Sequence, residues 1–119
     1  MATIGSSIVQ QGGSPWTTWD QIATVPGTLA QILTFTVPAG VTRTISKAGI
    51  SCSMTGCWEL SVNDVVQLSG RTSPAYPDSF VKIPDGLPLA ALDIVKLKFK
   101  ARTNSPIVNV DGFIGAIDT

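Results

Sequence analysis

The sequence predicts an all-β fold: an antiparallel β-sandwich of the jelly-roll type, preceded by an extended N-terminal arm. Three observations carry this reading. Val95, Leu97, Phe99 and Ala101 alternate with Lys96, Lys98 and Lys100, the period of a strand with one face in a core and the other in water. Several such runs are punctuated by Gly, Pro, Asn and Asp, the residues that turns demand. No stretch keeps a helical period for longer than about one turn. Short strands at this spacing, seven or eight of them, build a sandwich of two sheets.

In chain order, residues 1–28 read as the arm. Gln11-Gly12-Gly13-Ser14-Pro15 is a hinge by composition. The next segment, Trp16 to Ile22, admits two readings. Ser14 as N-cap and Pro15 as first helical residue would open a short turn with Trp16 and Trp19 on one face. The β-branched pair Thr17 and Thr18 favours extended chain instead. Either way the two tryptophans are large anchors, covered by the chain's own sheet or by another subunit.

Residues 29–119 read as the sandwich domain. After the turn Val25-Pro26-Gly27-Thr28, the segment Leu29 to Val37 alternates, with Leu33, Phe35 and Val37 on one face. Pro38-Ala39-Gly40 reverses the chain into Val41 to Met54, where the apolar phase changes from Val41 and Ile45 to Ala48, Ile50 and Cys52. One extra residue shifts the phase, and Gly49 is placed to supply the bulge. Asn63-Asp64 sits at the tip of a hairpin between Cys57 to Val62 and Val65 to Leu68. Within it Trp58 shares its face with Leu60 and Val62, which favours core packing over a sugar-stacking platform.

The loop Arg71 to Ser79 holds Tyr76 between Pro74 and Pro77. Prolines reduce the freedom an aromatic loses on docking, so this loop is a second contact candidate; the alternative is a loop packed over the end of the sheet. Phe80 to Ile83 is a short strand ended by Asp85-Gly86. Leu92 to Ala101 and Ile107 to Ile117 then read as an antiparallel hairpin across Arg102 to Pro106. In the last run Val110, Gly112, Ile114 and Ala116 share one face, yet Ile107, Phe113 and Ile117 make the other half apolar as well. That second side is expected to meet something.

At 119 residues and 12.5 kDa the chain is one domain, able to bury roughly two-thirds of its extended surface. Charged residues make up 13%, about half of the roughly 25% usual for soluble domains. The shortage is uneven. Asp20 is the sole charged side chain from Met1 to Thr42, whereas Arg43 to Thr119 carries eight basic and seven acidic residues. Charge depletion marks the centres of interfaces, so the first third is expected to lie against a partner or a neighbouring subunit; the bland alternative is a polar, loosely held arm. Met1 to Gly13 lacks the basic start and apolar run of a targeting signal, and no apolar stretch approaches the ~18 residues of a membrane span. The expected site of synthesis is the cytosol, and no membrane partner is expected.

Chemistry finds little support. The chain has no histidine, the most versatile general base near neutral pH. Asp64, Asp78 and Asp85 fall in turns, no carboxylate spacing suggests a metal, and no glycine loop suggests a nucleotide. Cys52 and Cys57 are too few for a zinc site, although a disulfide across Ser53 to Gly56 is geometrically feasible. No catalytic residue, metal or cofactor is expected. Lys96, Lys98 and Lys100, continued by Arg102, form a stripe with charges roughly 6.6 Å apart, suited to phosphates or an acidic protein surface. The competing reading is an edge strand guarded by lysines. Zero net charge argues against a nucleic-acid partner.

Phe35-Thr36-Val37-Pro38-Ala39-Gly40-Val41, the Trp58-x-Leu60-x-Val62-Asn63-Asp64 hairpin, Gly70-Arg71-Thr72-Ser73-Pro74 and the closing Gly112-Phe113-Ile114-Gly115-Ala116 together resemble small jelly-roll proteins of tailed-bacteriophage virions. Within them the similarity is to head decoration, or cement, proteins. The resemblance spans residues 29–119 and implies a structural, non-enzymatic protein, made in the host cytoplasm and bound to the outer capsid surface of the virion. It also implies a homo-oligomer, dimer or trimer, with the major capsid protein as partner. The candidate contact residues are Trp16, Trp19, Arg71, Tyr76, Lys96, Lys98 and Lys100. Two alternatives share the fold: a carbohydrate- or receptor-binding module of a tail or fibre, using Tyr76 and an exposed tryptophan, and a minor neck or tail joining protein.

Overall fold

Residues 13–119 are described by a computed structural model, and among them eight strands make up the regular structure. They are β1 (Ser14–Ala23), β2 (Leu29–Thr36), β3 (Arg43–Ser51), β4 (Gly56–Val62), β5 (Val65–Thr72), β6 (Asp78–Leu89), β7 (Ile94–Ala101) and β8 (Asn109–Asp118). They form two four-stranded antiparallel sheets, β1-β8-β3-β6 and β2-β7-β4-β5. This is the jelly-roll order. The pairs β4·β5, β3·β6, β2·β7 and β1·β8 are all antiparallel, so the chain is one long hairpin rolled over on itself.

The tip of that hairpin is Asn63-Asp64, at φ 50° and 67°. Positive φ at both central residues is what a two-residue type I′ turn needs to match strand twist. The Asn63 side chain ties the tip down, accepting from the Ile94 amide at 2.9 Å and donating to Asp93 at 2.9 Å. The core lies between the sheets. Trp58, Leu60, Leu97 and Phe99 from one wall meet Ile45, Ile50, Val110 and Ile114 from the other, all of them buried. The Trp58 indole keeps its N–H satisfied by donating to Ser79 Oγ at 2.8 Å.

Several sequence expectations are corrected. The two C-terminal strands are not a hairpin: β7 pairs with β2 and β4, whereas β8 pairs with β1 and β3, so Arg102 to Pro106 carries the chain from one sheet to the other. Their core faces look at each other across the sandwich. Residues 14–23 of the supposed arm are β1, matched to β8 along ten residues without interruption; the arm's residues 1–12 lie outside the described part. The short-turn reading of Trp16 to Ile22 gives way to extended chain. The phase change in β3 comes from a register shift between Ile45 and Lys47, at Ser46, and not at Gly49. Opposite it, residues 83–86 bulge out of β6, so the short strand expected over Phe80 to Ile83 does not end at Asp85-Gly86 but continues to Leu89. Finally, β7 is an interior strand, which removes the edge-guard reading of its lysines. Cys52 is buried, Cys57 is exposed, and both are free thiols.

Candidate docking face

The outer face of the first sheet carries an aromatic row that sequence reasoning did not assemble. Trp19 in β1 faces Phe113 in β8, Phe113 faces Gly49 in β3, and Gly49 faces Phe80 in β6. Directly opposed residues share a face, so this row crosses all four strands on the side away from the core. Trp19 is 68% exposed and Phe80 42%. Gly49 is the spacer that lets β6 approach. A Cβ there would run into the Ser79 carbonyl oxygen and come within 2.5 Å of the Phe80 ring. The Phe113 ring leans over Gly115, 3.3 Å from where a Cβ would stand. Missing side chains under the rings keep them low on the sheet.

Polar rows frame the aromatics on both sides. On one, Gln21 donates to Asp111 at 2.6 Å and Ser51 donates to Asp78 at 2.6 Å. On the other, Thr17, Gly115, Lys47 and Lys82 are opposed in turn, with the Lys47 ammonium 5.1 Å from the Phe80 ring centroid. An aromatic centre within a hydrogen-bonded, charged rim is the anatomy of a protein-binding patch.

Trp16 points the other way, because three residues along a strand reverse the face. Its ring packs on Phe35 at 4.7 Å between centroids, and the Arg43 guanidinium lies 3.6 Å over it. Arg43 is 4% exposed and donates two hydrogen bonds to Asp118, at 2.6 and 2.9 Å. Hydrogen bonding from Arg43, aided by its charge and opposed by burial, holds the Asp118 carboxyl below its usual range. Trp16 is therefore part of the framework that fixes β1 to the sandwich.

The basic candidates lie on the opposite face of the molecule from Trp19, on the outside of the second sheet. Lys96 pairs with Asp64 at 3.2 Å, and Lys98 stands opposite Glu59. Lys100 and Arg71 stand on either side of Cys57 and, with Arg102, line a shallow groove of about 300 Å³. Tyr76 is 77% exposed, at the end of a turn closed by reciprocal backbone bonds with Ser73 at 3.0 and 3.1 Å. The seven residues thus divide among four places: framework (Trp16), aromatic face (Trp19), loop tip (Tyr76) and the basic face of the second sheet (Arg71, Lys96, Lys98 and Lys100). The second apolar side of the last strand was the sequence signal for Phe113; Phe80 gave none, because only register places it beside the others. Among the described residues no group of three or more His, Cys, Asp or Glu is arranged to hold a metal, and no helix is long and apolar enough to cross a membrane.

The fold is a jelly-roll sandwich whose first sheet carries an aromatic row on its outer face. No family model matches the chain, and no curated protein matches it in sequence. Among solved structures it is similar to the cryo-EM structure of the extra small virus virus-like particle of the giant freshwater prawn Macrobrachium rosenbergii. That match has 13% identity and a TM-score of 0.34, over 93% of this chain and 82% of the other.

Proposed function

We propose that this chain is a structural, non-enzymatic virion protein of the head-decoration kind, binding the outer capsid surface through the outer face of its first sheet. The Trp19–Phe113–Phe80 row carries the reading: rigid aromatic rings lose little freedom on docking and dominate interface energetics. The other broad face, with Lys96, Lys98, Lys100 and Glu59, remains toward water. The partner is the major capsid protein, and the mechanism is additive burial. One molecule spans neighbouring capsid subunits, and many standard interfaces of about 1,600 Å² each resist internal pressure together. Synthesis in the host cytoplasm is followed by attachment to the finished shell.

The test is the copy number of this chain in purified particles, followed by occupancy of a Trp19→Ala variant. A copy number that is a sizeable fraction of the shell subunit, with occupancy lost in the variant, is the expected result. A handful of copies moves the protein to the neck or tail.

The exposure of Trp19 beside Phe113 also favours a second reading, a glycan- or receptor-binding module of a tail or fibre. Quenching or shifting of Trp19 fluorescence by host glycans would select it, and silence across a broad glycan panel would remove it.

A further inference from the structure

The sandwich has two lateral flanks, and they are built differently. On one, edge strands β5 and β6 lie side by side; on the other, edge strands β1 and β2 do, locked by the Trp16–Phe35 contact at 4.7 Å. Exposed edges attract stray strands, and proteins guard them with charges, prolines and bulges. The β5/β6 flank is guarded by Arg71, Lys82, Pro84 and Pro88. The β1/β2 flank has no lysine or arginine; its single charge is Asp20, and its single strand proline, Pro15, stands at the very start of β1 and leaves the remaining eight residues unguarded by proline. The edge of β2 is at least broken by a bulge at Ile32. That of β1 is not: ten residues run in register with β8 with no shift, and among the described residues no strand takes its outer row of main-chain donors and acceptors. The two strands that the charge-poor first third contributes among the described residues, β1 and β2, thereby lie together on one side of the molecule.

We infer that this flank is a self-association surface, on which β1 of one molecule pairs antiparallel with β1 of a second copy about a two-fold axis. A second copy is the occupant the flank favours. It offers an acidic or basic partner almost no charge to read, and an identical flank meets it with almost no repulsion. Antiparallel pairing of a strand with itself is self-complementary, as a two-fold interface requires. The size also fits. Ten residues span about 34 Å, and two sheets with their outer side chains are about 20 Å deep, giving roughly 700 Å² per subunit against the ~800 Å² of a standard interface. Joined in this way, the two first sheets become one eight-stranded sheet, and Trp19 of each copy comes close to the axis. The inference does not depend on the virion reading.

The experiment is sedimentation equilibrium on the full chain at micromolar concentration, with amide hydrogen exchange read residue by residue along β1. The expected result is a dimer in which consecutive β1 amides are slowed. Thr17→Lys with Ala23→Lys, two exposed positions on the strand, should halve the mass and return alternate β1 amides to fast exchange, with the far-ultraviolet spectrum unchanged. Lys82→Glu, on the other flank, should leave the dimer intact. A monomer, whatever its exchange pattern, overturns the inference, and so does a trimer. A dimer whose alternate β1 amides still exchange rapidly places the contact elsewhere and overturns it too. If the lysine variant does not fold, mass and exchange of the unaltered chain decide.

Discussion

Arg43 holds Asp118 through two hydrogen bonds, at 2.6 and 2.9 Å, while its guanidinium lies 3.6 Å over the Trp16 ring. One buried cation thus binds the last strand by charge and the first by stacking. Removing the carboxylate leaves that cation without its counter-charge in a site 4% exposed. Asp118→Asn is expected to lower unfolding free energy by about 3 kcal/mol, measured by urea denaturation at neutral pH.

The same pair sets an acid dependence. The Asp118 carboxyl is lowered in the folded chain by the Arg43 hydrogen bonds and charge, so the unfolded chain takes up this proton first as pH falls. Its contribution is full above the usual aspartate range, about pH 4, and declines as pH drops through and below it toward the lowered native value. Asp118→Asn should flatten that part of the stability profile. An unchanged acid slope in the variant would assign the dependence to other carboxylates.

Trp16 and Trp19 should separate stability from binding. Trp16→Ala loses the Phe35 and Arg43 contacts and is expected to destabilise by about 2 kcal/mol. Trp19→Ala, at a side chain 68% exposed, should change stability by less than about 0.5 kcal/mol while removing capsid occupancy. Thermal melts and particle sedimentation read the two effects independently.

Gly49→Ala puts a methyl group against the Ser79 carbonyl oxygen and the Phe80 ring. Forcing β3 and β6 apart is expected to cost about 2 kcal/mol and to displace Phe80 from the row. Chemical denaturation checks the first effect; shifted Phe80 resonances check the second.

At the hairpin tip, Asp64 adopts φ 67°, a conformation glycine reaches without strain. Asp64→Gly should stabilise the fold by about 0.5 kcal/mol, since the exposed ion pair it gives up with Lys96 contributes little. A small rise in melting temperature is the readout.

The sequence made the local features of the fold legible and left the non-local ones hidden. The β4–β5 hairpin could be read because Asn63-Asp64 and the flanking alternation are all within one short stretch. The β7–β8 connection could not, because alternation says that a strand has a core face and not which wall of the core it belongs to. Arg102 to Pro106 has the length of a hairpin loop and serves as a crossing between sheets. β1 looked like an arm because an edge strand with a half-exposed inner face shows weak alternation. The lysine stripe was legible as a stripe, but its position in the sheet depended on β2 and β4 closing around it. Trp19 was visible as an anchor, whereas its neighbours Phe113 and Phe80 are 94 and 61 residues away along the chain and meet it through register alone.

The rolled-hairpin topology also orders assembly in time. Each successive pairing outward from Asn63-Asp64 closes a longer loop, and closure entropy grows with loop length. Zipping therefore favours β4·β5 first and β1·β8 last, and the large share of distant pairings makes folding slow for a chain of this size. Substitutions in β4 and β5 should slow folding, while those in β1 should mainly speed unfolding, a difference that φ-value measurements would expose. Because the aromatic row is complete only when β1 is in place, a partly folded molecule presents no finished docking surface. On the proposed function, folding itself then acts as the checkpoint that admits a molecule to the shell.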